Sequence, residues 1–167
     1  MNIDKKPLDK EWFCDQVQQC QRGLYRLALC MLRDPHDAED ILQDTILTAY
    51  DKIYSLRDPS RFKPWIMKIL SNLANEMLRK KKNDLSMHYI DEQLPSEEKD
   101  ICTSISLWDA VKSLDRSYQS VVVLFYYEDM TIKDISTVTG LSQAAVKTRL
   151  TRARHQLKKI LDKGEQL

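Results

Sequence analysis

From Asp34 onward, apolar residues recur at three- and four-residue spacing in blocks separated by polar turns. Ala38, Ile41, Leu42, Thr45, Ala49 and Ile53 fall on one face of a helix. Asp34-Pro35 opens it, because the aspartate can cap, proline suits the first helical position, and acids favour the positive end of the dipole. Ile66, Ile69, Leu70, Leu73 and Met77 predict a second helix from Pro64 to about Lys81. Val121, Val122, Leu124 and Phe125 fit a helix over 114–127. Beyond it, Ile132, Ile135 and Val138, then Val146, Leu150, Ala153, Leu157 and Ile160, predict two more helices on either side of Gly140.

Composition agrees. Only 3 Gly and 5 Pro occur in 167 residues, too few turn residues for an all-β sandwich, so an all-α protein is expected. The length suits one medium domain or two small ones. No run reaches the roughly 18 apolar residues of a membrane span. The polar stretch Met1 to Lys10 has no apolar core for a signal peptide, and a cytosolic location is expected. Cys14, Cys20, Cys30 and Cys102 form no C-x-x-C pair and lie near no histidine at ligand spacing, so they are read as free thiols, with no metal or cofactor expected.

Net charge is +1, which taken alone argues against a nucleic-acid partner, but the charges are sorted. Residues 1–82 carry 15 basic and 12 acidic side chains, residues 83–105 carry 1 and 6, and residues 106–167 carry 10 and 7. The acidic stretch contains Pro95 and the run Ser96-Glu97-Glu98-Lys99-Asp100. Two small helical domains, 1–82 and 106–167, joined by a flexible acidic linker at 83–105, are therefore expected. Within them, 141–160 holds six cations and no acid, whereas 34–51 holds six acids and no Lys or Arg. Two chemically different partners are implied.

The segment 130–150 has the marks of a helix-turn-helix. Thr131 can cap the first helix, with Asp134 three residues on, Gly140 stands where the turn needs a left-handed residue, and Ser142 can cap the second helix. Opposite the buried stripe lie Lys147, Thr148, Thr151, Arg152 and His155. Such a helix can enter the major groove, its cations meeting phosphates or guanine edges. A solvated basic face on a helical hairpin is the alternative.

In the first half, Asp40, Gln43, Asp44, Leu47 and Asp51 face outward from the first helix. An acidic face with one exposed leucine suits a basic partner, and a merely solvated face fits the pattern equally well. Lys68, Asn72, Asn75 and Arg79 form a polar stripe on the second helix, ending in Arg79-Lys80-Lys81-Lys82. These cations complement the helix dipole and also make a phosphate-binding edge. The intervening loop carries Arg57, Arg61 and Phe62, and Trp65 follows, either as core or as a base-stacking group.

The octad Asp37-Ala38-Glu39-Asp40-Ile41-Leu42-Gln43-Asp44, the block Phe62-Lys63-Pro64-Trp65-Ile66 with 69–79, and the helix-turn-helix within 114–157 together resemble the extracytoplasmic-function sigma factors of bacterial RNA polymerase, in the sigma-70 family. The resemblance runs in order from about Tyr25 to Leu157. It implies that Asp40, Gln43, Asp44 and Leu47 dock on core RNA polymerase. Arg57, Arg61, Lys68, Asn72 and Arg79 would bind the minus-ten promoter region, and Lys147, Thr148, Thr151 and Arg152 the minus-thirty-five duplex. It also implies an anti-sigma factor, of the kind often held at a membrane, and a regulon of envelope or extracytoplasmic stress. Two residues depart from the family pattern: Ser136 stands where Ala is common, and Leu47 where an aromatic is common.

The alternative is a stand-alone helix-turn-helix regulator that never binds core polymerase. An enzyme is not expected, because His36, His88 and His155 are dispersed, no glycine loop cradles phosphate, and no nucleophile adjoins a base.

Overall fold

The computed structural model describes residues 9–86 and 106–164. Among them every regular element is helical. Helix α1 (Lys10–Leu32) starts where the Asp9 carboxylate accepts from the Trp12 N–H at 2.8 Å, and it ends at Arg33, whose φ of 58° is left-handed. It buries Phe13, Val17, Cys20, Leu24 and Leu27 along one face. This helix was not among the elements predicted above.

Helix α2 (Pro35–Asp51) opens as expected, with the Asp34 carboxylate accepting from the Asp37 N–H at 3.0 Å, and it buries Ala38, Ile41, Leu42, Thr45 and Ala49. A short turn at Pro59–Arg61, tied by the Asp58 carboxylate accepting from the Ser60 N–H at 3.0 Å, runs straight into α3 (Phe62–Ser86). The second helix thus begins two residues before Pro64 and includes the first four residues of the expected linker. The rest of that linker, with Cys102, lies outside the described residues. The buried set also differs. Met67 and Ala74 are fully buried, whereas Ile69, Leu73 and Met77 are half-buried, because α3 packs on α1 and α2 on one side and on α6 on the other.

Phe62 anchors this half. Its ring is 1% exposed and meets Trp12, Phe13 and Trp65 at centroid separations of 5.4, 5.8 and 5.7 Å. Trp65 is accordingly the edge of the core.

The second half holds α4 (Leu107–Lys112), capped by Ser106, then α5 (Arg116–Val122), α6 (Ile132–Thr139) and α7 (Gln143–Gly164). The helix expected over 114–127 is split. After Val122 the backbone widens into a π turn over Val123–Tyr127, where the Glu128 N–H donates to the Val123 carbonyl at 3.1 Å. Helix α7 lies across α5 and α6. The halves also touch, α3 on α6 and α1 on α5 and the π turn, so one apolar cluster runs through both.

Candidate nucleic-acid and protein interfaces

The helix-turn-helix is built as its sequence dictates. The Thr131 hydroxyl accepts from the Asp134 N–H at 3.1 Å, and the Ser142 hydroxyl accepts from the Ala145 N–H at 3.1 Å. Gly140, at φ 75°, turns the chain and donates its N–H to the Ser136 carbonyl at 2.9 Å. Val146, Leu150 and Ala153 are buried under α7, which leaves Lys147, Thr148, Thr151 and Arg152 exposed on its far side. The Thr148 and Thr151 hydroxyls donate to the carbonyls of Ala144 and Lys147 at 3.0 and 3.1 Å. Arg154 points elsewhere, its Nε donating to the Tyr126 hydroxyl at 2.7 Å.

Asp40, Gln43, Asp44 and Leu47 are all exposed on α2. Leu47 is 65% exposed, and Tyr50 and Tyr54, at 47% and 83%, continue the apolar surface toward the following turn. Those two tyrosines were not singled out in the sequence. Three outward-facing aromatic or aliphatic residues within eight positions are a signal that could have found them.

Arg57, Asn72 and Arg79 are exposed, as a nucleic-acid face requires. Arg61 and Lys68 are engaged across the two halves. The Arg61 guanidinium pairs with the Asp134 carboxylate, and Lys68 Nζ reaches toward the Val138 carbonyl at 3.5 Å. The hydrogen bond to Asp134 raises the Arg61 pKa further. Burial would raise the Asp134 carboxyl, but bonds from Arg61 and Thr131 outweigh it and hold the carboxyl below its usual range. Two cations of the run at 79–82 also have partners, Lys80 with Glu76 at 2.9 Å and Lys81 with Asp37.

Arg26 and Glu128, which the sequence did not mark, complete the contact together with Lys63. Glu128 receives Arg26 Nη1 at 3.2 Å and Lys63 Nζ at 3.0 Å. Nothing in local periodicity links residues so far apart. Among the described residues, no group of three His, Cys, Asp or Glu is placed to hold a metal, and no helix is long and apolar enough to cross a membrane.

Residues 16–83 match Sigma-70 region 2, and residues 104–157 match Sigma-70 region 4. The RNA polymerase sigma factor SigV of Bacillus subtilis is 30% identical over 156 residues, which span 90% of this chain and 92% of that protein. The chain belongs to the extracytoplasmic-function sigma factors. The ECF RNA polymerase sigma factor SigW of the same species is likewise 30% identical, over 92% of this chain and 90% of that one. The fold resembles that of the sigma factor RpoE, solved with the anti-sigma factor NepR from Bartonella quintana, at a TM-score of 0.73 and 22% identity, covering 90% of this chain and 96% of that one. Family membership decides for an initiation factor over a stand-alone regulator: as a sigma factor, the protein is a non-enzymatic DNA-binding subunit that joins core RNA polymerase and directs transcription initiation at promoters.

Proposed function

We propose that this sigma factor uses two chemically opposite faces, an acidic and apolar one to hold core polymerase and basic ones to hold promoter DNA, within the cytoplasm. The observation that carries the reading is the outward face of α2, where Asp40, Gln43 and Asp44 are exposed in the turns before a leucine that is 65% exposed. An exposed leucine on an acidic helix face suits a basic partner helix with an apolar spot. On this reading Arg57, Arg61, Lys68, Asn72 and Arg79 serve the minus-ten element, and Lys147, Thr148, Thr151 and Arg152 serve the minus-thirty-five element. The working units are 1–82 and 106–167, with 83–105 between them.

Each basic face alone is modest, so the free protein binds promoters weakly. Docking on the core would set the distance between the units and turn two weak contacts into one bivalent engagement. The acidic segment between them, which lies outside the described residues, would thread a basic channel of the polymerase. An anti-sigma factor is the expected regulator, as in the solved complexes of RpoE with NepR and of CnrH with the cytosolic domain of CnrY. The regulon is proposed to answer envelope stress.

Transcription with purified core polymerase on genomic fragments, followed by start-site mapping, tests this reading. Specific starts that depend on the chain are expected, with Asp44→Lys lowering core affinity while leaving the fold intact. Failure to co-migrate with core polymerase overturns it.

A further inference from the structure

Helices α1, α3, α5, α6 and α7 all contribute to the wall of a cavity of about 190 Å³. Leu27 on α1, Val121 on α5 and Val138 on α6, each 1% exposed or less, give it an apolar wall. Ser71 and Asn75 on α3 and Ser117 on α5 add two hydroxyls and an amide. The space is smaller than the pockets that take drug-sized ligands, and it suits a molecule of about ten non-hydrogen atoms.

The charge around the cavity is one-sided. Arg116 at the start of α5 and Arg149 on α7 both line it, and no Asp or Glu does. Among the described residues neither guanidinium is held by an ion pair or a side-chain hydrogen bond, whereas Arg26 and Arg61 each meet a carboxylate. Arg33, whose Nη2 donates to the Leu114 carbonyl at 3.0 Å, adds positive charge beside Arg116. Burial and that like charge both push the Arg116 pKa down, the reverse of the effect on Arg61. Guanidiniums without a counter-charge beside an apolar wall are costly, and an anion bound there lowers that cost.

Neither arginine is among the residues assigned above to promoter DNA or to core polymerase, and the inference is independent of that reading. We propose that the cavity binds a small organic oxyanion, a compact apolar body that carries one phosphate-ester or carboxylate head. Arg116 and Arg149 take the head, since a planar guanidinium offers paired N–H donors that fit either oxyanion. The body lies against Leu27, Val121 and Val138, which a bare inorganic anion would leave uncovered.

The test titrates the full chain by calorimetry, at constant ionic strength, with phenyl phosphate, benzoate, inorganic phosphate and phenol. The first two carry both head and body, the third the head alone and the fourth the body alone. Saturable binding of at least one of the first two at about millimolar concentration is expected for so few atoms. Inorganic phosphate and phenol are each expected to bind at least about tenfold more weakly. Phenyl phosphate ahead of benzoate assigns a phosphate ester, and the reverse order assigns a carboxylate. Arg116→Gln and Arg149→Gln should each weaken the better probe by about tenfold. Ser71→Leu, which fills the cavity and changes no charge, should abolish its binding. Circular dichroism checks that each variant is folded, and Arg116, which is exposed, carries the test if the other two misfold. Absence of saturable binding of both organic anions to the wild-type chain overturns the proposal. Inorganic phosphate binding as tightly as phenyl phosphate, or an affinity unchanged in folded Arg116→Gln, overturns it as well.

Discussion

The Ser136 hydroxyl donates to the Leu141 carbonyl at 2.5 Å, closing the turn of the helix-turn-helix from within. This accounts for a serine where the family commonly has alanine. Ser136→Ala gains a few tenths of a kcal/mol in helix propensity but leaves the Leu141 carbonyl short of a half-buried partner, a loss of about 0.5–1.5 kcal/mol. A net destabilisation below about 1 kcal/mol is expected in denaturant unfolding followed by circular dichroism. A variant as stable as wild type or more so counts against the bond.

Gly140 tests the turn differently. Nothing lies within 4 Å of a Cβ built there, so Gly140→Ala meets no clash, only the cost of φ 75°. That cost is about 1 kcal/mol, and Gly140→Asn, which tolerates the left-handed region, should lose less. The ranking Gly, Asn, Ala in midpoint of unfolding checks it.

These two positions show what the sequence made legible. Turn chemistry and caps act over a few residues, so Thr131, Gly140, Ser142 and Asp34 were readable in advance, as was the exposure of Lys147 and Arg152. The missing α1 was legible too, since Phe13, Val17, Cys20, Leu24 and Leu27 repeat at four, three, four and three, once Cys20 counts as apolar. What was out of reach was long range. Met67 is fully buried on a helix that packs against α6 as well as α1 and α2, Arg61 is paired because Asp134 arrives from 73 residues away, and the Glu128 carboxylate lies against α1 at Gly23.

Phe62 should dominate the stability of the first half. Its ring is 1% exposed and meets three other aromatic rings, so Phe62→Ala is expected to cost about 3–5 kcal/mol. Against a typical total of about 5–15 kcal/mol, the variant should melt far earlier or accumulate as insoluble chain. A melting temperature within a few degrees of wild type contradicts this packing.

The buried thiols give a pH dependence. Burial pushes Cys30 up to about 11 and also raises Cys20, whereas Cys14 is exposed. A neutral thiol is the form that Cys30 keeps in the fold. Its share of stability is therefore full below about pH 8.5, the ordinary value of a free thiol, and is lost as pH rises toward 11. Native alkylation at pH 8, read by mass spectrometry, should modify Cys14 well before Cys20 or Cys30. Equal rates at the three sites overturn the assignment.

Arg152 separates base contact from phosphate contact. It is exposed on α7, on the side away from Val146 and Leu150, with neighbours Lys147, Thr148 and Thr151 on the same surface. If it touches a base edge in the holoenzyme, Arg152→Ala should weaken use of the upstream element by about 1–3 kcal/mol and relax preference at one base pair. If it touches only phosphate, the loss should be nearly uniform across sequences and the salt dependence shallower by about one ion. Initiation rates with core polymerase on matched and single-substituted upstream elements, at two salt concentrations, tell these apart. Unchanged rates on every template would remove Arg152 from the DNA interface.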